Sequence, residues 1–420
     1  MKETTGVPIS GFYELGLAPA IQETLARLRY TVPTPIQRQA IPAAALGKDV
    51  VGIAQTGTGK TLAFGIPMIQ RLLQDRGSRG LIILPTRELA LQVDEAIRKI
   101  GSSFGLKTAV LIGGASIRPQ INDLRRNPTI IVATPGRLLD HVNQRTIRLD
   151  TARILVLDEA DRMLDMGFAP QINKILHALP RDRQTMLFSA TMPAEIMKIA
   201  AAHMKLPIRI EIAPAGTTVE RVTQEVFIVP HDRKMNLLLK LLELHKGSAL
   251  VFTRTKHGAK KVVRHIQAAG VRAAEIHSNR SLNQRREALE GFKTGRYRVL
   301  VATDIASRGI DVIGIEIVIN YDLPGTAEDY VHRIGRTARA GAGGHAITFA
   351  MSDQRREITV IERLIKKTLP ISRLPDLPPS KFMPEPPRSF LRAPARHYGR
   401  PFGSGNRPSP FGGRQRRFPR

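Results

Sequence analysis

The chain has 420 residues, more than one hydrophobic core usually holds, so we expect two α/β domains with additional segments. Its 64 Lys and Arg against 36 Asp and Glu give a formal net charge of +28, which favours nucleic acid first and an anionic membrane second as partner. It contains no Cys, which excludes disulfides and thiolate zinc sites. No apolar run is long enough to span a bilayer, and the N-terminus lacks a signal-peptide layout. We therefore expect a soluble, cytoplasmic protein.

Short apolar runs rich in β-branched residues alternate with longer helical patterns. In the first half the runs are 49–54, 80–84, 129–133, 154–157 and 185–188, with helical patterns at 61–74 and 87–100. In the second half the runs are 248–253, 273–277, 298–302, 315–320 and 344–350. Nearly continuous apolar runs are typical of strands that are covered on both faces. The β-α-β-α order therefore predicts α/β domains with parallel sheets.

Changes in composition predict the domain boundaries. We predict a first domain over 1–212, a linker over 213–222 that contains Pro214 and Gly216, and a second domain over 223–375. Residues 376–420 form a tail with ten basic and two acidic residues, a net charge of +8, and many Pro and Gly. No hydrophobic period continues there, so we expect a disordered, basic C-terminal tail.

A phosphate-binding loop is predicted at residues 54–61, between a predicted strand and a predicted helix. Its residues are Ala54, Gln55, Thr56, Gly57, Thr58, Gly59, Lys60 and Thr61. Glycines let backbone N–H groups turn towards phosphate oxygens, and the helix N-terminus adds positive potential. We expect Lys60 to reach the β- and γ-phosphates of a nucleotide and the Thr61 hydroxyl to bind Mg²⁺.

Two carboxylates follow the strand predicted at 154–157. Asp158 would lie at the carboxyl end of this strand, where open α/β sheets bind ligands, and could hold Mg²⁺. The adjacent Glu159 would point to the other side and polarise an attacking water. An acidic cluster after a strand is usually a solvated loop, but its pairing with a phosphate loop predicts a nucleotide hydrolase.

Residues 158–161 read Asp-Glu-Ala-Asp, the signature of DEAD-box RNA helicases, and further motifs of that family occur in its order over residues 12–341. The chain resembles this family, and in particular its bacterial RhlE-type branch. The resemblance implies two tandem RecA-like domains, ATP and Mg²⁺ as cofactors, and RNA as the partner, bound through its backbone. It leaves the pathway open, with ribonucleoprotein or RNA-decay partners and a monomeric core as expectations.

The resemblance also implies roles in binding and hydrolysing ATP. Residues 32–37 look like the adenine-recognition motif, in which the Gln37 amide would pair with both the N6 and N7 positions of adenine. Phe12 would stack on the base, with a purely core role as the alternative. The remaining residues implied are Asp311 for the ribose, Arg336 and Arg339 as arginine fingers, and Asp161, Ser189, Thr191 and His332 for coupling.

RNA-backbone contacts are implied for a further set of residues. They are Thr86, Arg87, Gly113, Gly114, Thr134 and Arg137 in the first domain, and Thr253, Arg254, Arg285 and Thr303 in the second. Small residues let main-chain N–H groups approach phosphates, while Arg87 and Arg137 can supply charge or fix the loops that do. The chain departs from the family pattern at Ser278, Leu282, Ser307 and Ala338. None of these four changes removes a catalytic charge.

The expected mechanism is that ATP and RNA together close the two domains and bend the bound strand, so that short duplexes separate locally. Two alternatives remain. One is an RNA clamp that acts mainly by binding, and the other is a DNA translocase of a related helicase group. Intact Lys60, Asp158 and Glu159 argue against the clamp, and the DEAD signature favours RNA over DNA.

Overall fold

The computed structural model describes residues 11–55, 57–212, 222–304, 312, 314–337 and 343–377. Within these ranges the strands form two seven-stranded sheets, and every strand pair is parallel. The described residues belong to one compact unit. No helix in the described ranges is both long and apolar enough to cross a membrane.

The first sheet is built from the first half of the chain. Its strands are β1 Val50–Ile53, β2 Arg79–Ile83, β3 Thr108–Leu111, β4 Ile130–Ala133, β5 Ala152–Leu157, β6 Gln184–Ser189 and β7 Ile208–Glu211. Their spatial order is β3-β4-β2-β5-β6-β1-β7. The carboxyl ends of β1, β5 and β6 are therefore neighbours at one edge of the sheet.

The second sheet repeats this plan in the second half. Its strands are β8 Val222–Ile228, β9 Ala249–Phe252, β10 Ala273–Ile276, β11 Val299–Ala302, β12 Ile317–Asn320, β13 Gly344–Ala350 and β14 Ile371–Ser372. Their spatial order is β10-β11-β9-β12-β13-β8-β14.

Helices cover both faces of each sheet. Around the first sheet they are α1 Pro19–Arg27, α2 Pro35–Ala45, α3 Lys60–Gln74, α4 Arg87–Gly101, α5 Ile117–Arg125, α6 Pro135–Asn143, α7 Ala160–Asp165, α8 Ala169–Ala178 and α9 Ala194–His203. Around the second they are α10 Lys234–Leu244, α11 Lys256–Ala268, α12 Leu282–Lys293, α13 Ala327–Ile334 and α14 Arg355–Ile365. Central strands such as β4 and β9 are buried along their whole length, because helices pack on both sides.

The predicted α/β fold with two parallel sheets is confirmed, and the predicted apolar runs are strands to within a few residues. The short strands β3, β7 and β14 and the longer strand β8 were not predicted, because they lie at or next to a sheet edge and have partly exposed residues in place of a continuous apolar run. Val222, placed in the predicted linker, is the first residue of β8. The rest of that linker and nearly all of the basic tail lie outside the described residues.

Candidate functional site

The phosphate loop connects β1 to α3 and is shaped by two glycines with left-handed backbone. Gly57 has φ of 86° and Gly59 has φ of 90°, a region that side chains disfavour. Lys60 begins α3, is buried, and its Nζ donates to the carbonyl oxygen of Ala54 at 2.9 Å. The ammonium therefore lies across the loop, where it can exchange this carbonyl for phosphate oxygens. Thr61 follows it, half-buried, while Thr56 lies outside the described residues.

The predicted adenine-recognition segment packs directly on the phosphate loop. Thr34 precedes α2 and forms a capping box, in which its backbone N–H donates to Gln37 Oε1 at 3.0 Å. The other end of the same amide, Nε2, donates to the carbonyl oxygen of Gly59 at 3.0 Å. Gln37 thus ties the segment to the loop, and pairing with adenine would replace at least one of these bonds. Its role in reading adenine stays a prediction.

Phe12 does not offer its ring to a ligand in this structure. The side chain is only 4% exposed and packs in a core cluster with Leu15 and Ile21. A stacking ring needs one open face, so the structure favours the core role over the expected stacking on adenine. Burial of its large aromatic surface accounts for a Phe at this position without base contact.

Asp158 lies at the carboxyl end of β5, beside Lys60. The carboxylate is buried, and burial raises its pKa to about 6, although the nearby Lys60 lowers it. A buried carboxylate of this kind gains from a bound cation. Mg²⁺ is commonly held by one or two carboxylates together with substrate phosphates and water, so Asp158 with the Thr61 hydroxyl is a donor set that fits it.

Glu159 has a left-handed backbone and a buried, charged partner. Its φ of 53° and ψ of 49° are rare for a residue with a side chain, and such strain is often found at active sites. Its Oε2 accepts from Arg162 Nη1 at 2.7 Å, and both side chains are almost fully buried. Sequence reasoning missed Arg162, because an arginine in a short helix is usually solvated.

Asp161 links α7 to the end of β6 and to the residues that follow it. Its Oδ2 accepts from the Thr191 backbone N–H at 2.9 Å, the Thr191 hydroxyl at 3.0 Å and the Ala190 N–H at 3.1 Å. Its own N–H donates to Ser189 Oγ at 3.1 Å. Burial raises the pKa of Asp161, but Lys60 and the Thr191 bonds outweigh it and hold the pKa below its usual value. These contacts have the form that the predicted coupling role requires.

The second sheet contributes His332 and Arg336 to the same site. Burial lowers the pKa of His332 to about 4, with Arg162 and Arg336 adding to the shift, while Asp161 and Glu159 oppose it. His332, on α13, therefore faces the acidic motif of the first sheet and is neutral at pH 7. Arg336 is buried beside it, and its Nε donates to the His332 carbonyl oxygen at 3.3 Å. Arg339 and Asp311 lie outside the described residues.

Arg333, which sequence reasoning also missed, anchors α13 to its sheet. Its Nε and Nη2 donate to both carboxylate oxygens of Asp304 at 2.6 and 2.8 Å. Nη1 donates to Asn320 Oδ1 and to the Asp322 carbonyl oxygen. The guanidinium also lies 4.9 Å from the ring centre of Phe252. A bidentate, buried arginine of this kind fixes the helix that carries His332.

The predicted RNA contacts of the first sheet form one connected set of loops. The Arg87 guanidinium lies against Gly114, whose φ of 68° and lack of a side chain leave room for it. Arg137 Nη1 donates to the Ala115 carbonyl oxygen at 3.0 Å, so it fixes the turn that contains Gly113. Thr86 and Thr134 immediately precede α4 and α6 as their N-cap residues. In this structure, Arg87 and Arg137 therefore contact and stabilise these loops.

In the second sheet, Thr253, Arg254 and Thr303 lie together at the carboxyl edge. Thr253 follows β9 and Thr303 follows the adjacent β11, so the two are neighbours there. The N–H of Arg254 donates to Asp322 Oδ2 at 3.0 Å, and its guanidinium is exposed. An exposed cation beside two hydroxyl-bearing strand ends suits a phosphate backbone.

Arg285 is a correction to the predicted RNA contacts. It is buried, and its Nη2 lies 3.0 Å from Glu88 Oε2 on α4, so it pairs with the first domain. Burial lowers the pKa of Arg285, while Glu88 opposes that shift. A guanidinium that is already enclosed by a carboxylate of the other domain has little surface left for RNA.

The fold and this geometry define a phosphate-loop protein whose nucleotide site is built from two sheets. Comparison with known families agrees with this class. The model for DEAD/DEAH box helicases matches residues 34–199, and the model described as the helicase conserved C-terminal domain matches residues 233–341.

Individual relatives are similar over most of the chain. The chain is 42% identical to DEAD-box ATP-dependent RNA helicase CshA of Bacillus subtilis, over 87% of this chain and 74% of the relative. It is 42% identical to ATP-dependent rRNA helicase RRP3 of Eremothecium gossypii, over 86% of this chain and 75% of the relative. DEAD-box ATP-dependent RNA helicase 30 of Arabidopsis thaliana is 44% identical over 86% of this chain, but the match spans only 62% of that protein.

A solved structure is similar as well. Dbp5 of S. cerevisiae bound to RNA and ADP BeF3 has a TM-score of 0.75 at 29% identity, with 86% of this chain and 95% of that chain covered. The chain therefore belongs to the DEAD-box family of ATP-dependent RNA helicases. The RhlE-type branch stays a prediction.

Proposed function

We propose that the chain is an RNA-stimulated ATPase that separates short RNA duplexes locally and remodels ribonucleoproteins. The observation that carries the proposal is His332. This residue of the second domain lies half-buried near Asp161 and Arg162, which neighbour the phosphate loop of the first sheet. A site assembled from two sheets can couple their approach to hydrolysis.

ATP would bind at the loop between β1 and α3. Lys60 would leave the Ala54 carbonyl oxygen for the β- and γ-phosphates, and backbone N–H groups of the loop would hold the same oxygens. We propose Mg²⁺ as the metal, held by Asp158 and Thr61, where it would neutralise phosphate charge. Asp161 would pass the state of this site to Ser189 and Thr191 through the bonds described above.

Hydrolysis needs a positioned water and cations around the γ-phosphate. Glu159 would accept a hydrogen bond from the attacking water, and Arg336 with Arg339 would stabilise the charge of the transition state. Arg336 is already buried beside His332, and we propose that it reaches the γ-phosphate from the second domain.

RNA would bind across the carboxyl edges of both sheets, on loops fixed by Arg87 and Arg137 and beside the exposed Arg254. Support comes from the names of the relatives, which are RNA and rRNA helicases, and from the similar Dbp5 structure, which contains RNA. We include in the proposal the domain boundaries given above, a monomeric core and action in the cytoplasm.

The test is ATP hydrolysis by the full chain with no nucleic acid, with single-stranded RNA and with single-stranded DNA of the same sequence. We expect strong stimulation by RNA and little by DNA. Equal stimulation by DNA would favour the translocase, and RNA binding without hydrolysis would favour the clamp.

A further inference from the structure

Arg162 holds the carboxylate of Glu159 in one orientation. Its Nη1 donates to Glu159 Oε2 at 2.7 Å, and the exposed fractions of the two side chains are 2% and 4%. Such a short, charge-assisted bond between buried groups is much stronger than a surface ion pair. Glu159 therefore has little freedom to rotate.

The two oxygens of this carboxylate differ. Oε2 is taken by Arg162, whereas Oε1 has no hydrogen-bond partner among the described residues. The backbone of Glu159 is in the left-handed region, which sets the direction in which the side chain leaves the strand end. One oxygen is fixed and the other is left for a ligand or water.

Arg162 also meets the second sheet. It is the cation that lowers the pKa of His332 most after burial, so the two side chains are close neighbours. The Nη2 of Arg162 is buried without a hydrogen-bond partner among the described residues. Arg162 thus lies between Glu159, on its own domain, and α13, which belongs to the other.

We propose that Arg162 is a positioning residue, which fixes Oε2 of Glu159 so that Oε1 is presented to the attacking water. The inference rests on the proposed ATP hydrolysis. A base that is oriented by a third group is a recurring arrangement in enzymes. Phosphoryl transfer depends mainly on positioning and charge, so an unanchored Glu159 should slow hydrolysis while ATP still binds.

The experiment combines substitutions at both positions. R162M removes the guanidinium and keeps an unbranched side chain, while R162K keeps the charge but loses the planar fork. Each is measured in the unmutated chain and in E159Q, by single-turnover ATP hydrolysis with saturating RNA. Binding of a fluorescent ATP analogue and the melting temperature are measured in parallel.

We expect R162M to lower the hydrolysis rate by about 10- to 100-fold, less than the roughly 10²–10⁴-fold that a general base contributes, because Glu159 itself remains. The affinity for the ATP analogue should change less than about 3-fold, because groups that act only in the transition state leave ground-state binding intact. R162K should recover part of the rate. In E159Q, R162M should add less than about 2-fold, because residues that act as a unit are non-additive.

Three results would overturn the proposal. An unchanged rate in R162M would show that Glu159 needs no anchor. The same fold loss in both backgrounds would show that Arg162 acts independently of Glu159. A parallel loss of analogue binding would show a general disturbance of the site. If R162M does not fold, R162K provides the test. The proposal then requires that R162K lower the hydrolysis rate in the unmutated chain but not in E159Q. A normal rate in E159Q itself would instead contradict the proposed function.

Discussion

Glu88 of α4 and Arg285 of α12 form an ion pair, 3.0 Å long, that joins the two domains, and both side chains are more than nine-tenths buried. The pair exists only when the domains lie together, because its partners belong to different sheets. When the domains separate, each charge returns to water. The attraction between the two charges therefore favours the closed arrangement, against the cost of removing both charges from water.

We expect Glu88→Gln and Arg285→Met each to weaken closure, because each leaves the other group buried and unpaired. A double-mutant cycle should give a coupling of about 0.5–3 kcal/mol. Closure is measured by energy transfer between dyes on two introduced cysteines, which the absence of native Cys makes straightforward.

The matched control is the exposed pair Arg148 and Asp150 of the first domain, with 2.9 Å between its charged atoms. Asp150→Asn should leave closure unchanged, because exposed pairs contribute little. A coupling near zero for Glu88 and Arg285 would show that the pair does not hold the domains together.

Gln37 should set both the affinity for ATP and the preference over GTP. Gln37→Ala removes the bond to the Gly59 carbonyl oxygen and the groups available to adenine, so we expect the KM for ATP to rise by about 5- to 100-fold, in line with 1–3 kcal/mol for such buried groups. The ratio of ATP to GTP hydrolysis should fall towards one. Gln39→Ala, an exposed neighbour on α2, is the control. If the unmutated chain uses both nucleotides equally, Gln37 does not read the base.

His332 should make domain closure sensitive to acid. Its pKa falls from 6.5 to about 4 in the closed arrangement, so closure favours the neutral ring. Its contribution is complete above pH 6.5 and is lost as the pH falls towards 4, at about 1.4 kcal/mol for each pH unit in that window. Between pH 7.5 and 5.5, closure of the unmutated chain should weaken more than closure of His332→Asn. Identical pH profiles would mean that the ring is not enclosed on closure.

The basic tail should hold RNA without taking part in hydrolysis. Truncation after Pro375 should preserve the maximal RNA-stimulated rate and raise the RNA concentration for half-stimulation. The tail's net charge is +8. If all eight net charges engage single-stranded RNA, they add at most about 5–6 to the slope of log affinity against log salt concentration. The slope of the truncated chain should therefore be less steep than that of the full chain. Superimposable salt curves for the full and truncated chains would assign all the binding to the folded part.

Much of this site could be predicted because its signals are local. The phosphate loop and the DEAD signature are short motifs next to apolar strands, and the structure places Lys60 and Asp158 as the pattern predicts. The strands themselves were clear because continuous apolar runs are expected where helices cover both faces.

The missed residues owe their positions to distant partners. Arg162 and Arg333 are helical arginines, which sequence patterns assign to solvent, yet contacts with Glu159 and Asp304 bury both. Arg285 was taken as an RNA contact because nothing in its neighbourhood reveals that Glu88 lies opposite. Phe12 was predicted to stack on adenine because the sequence does not show which residues pack around its ring. The positions of these four side chains depend on packing between segments that are distant in the chain. A single sequence does not reveal such packing.

The most direct test of the account is ATP hydrolysis with and without saturating single-stranded RNA, by the unmutated chain and by Glu159→Gln. We predict that RNA stimulates the unmutated chain and that the variant loses about 10²–10⁴-fold of that rate, while ATP and RNA still bind. The account would be contradicted if RNA did not change the rate of ATP hydrolysis. It would also be contradicted if Glu159→Gln hydrolysed ATP at close to the unmutated rate.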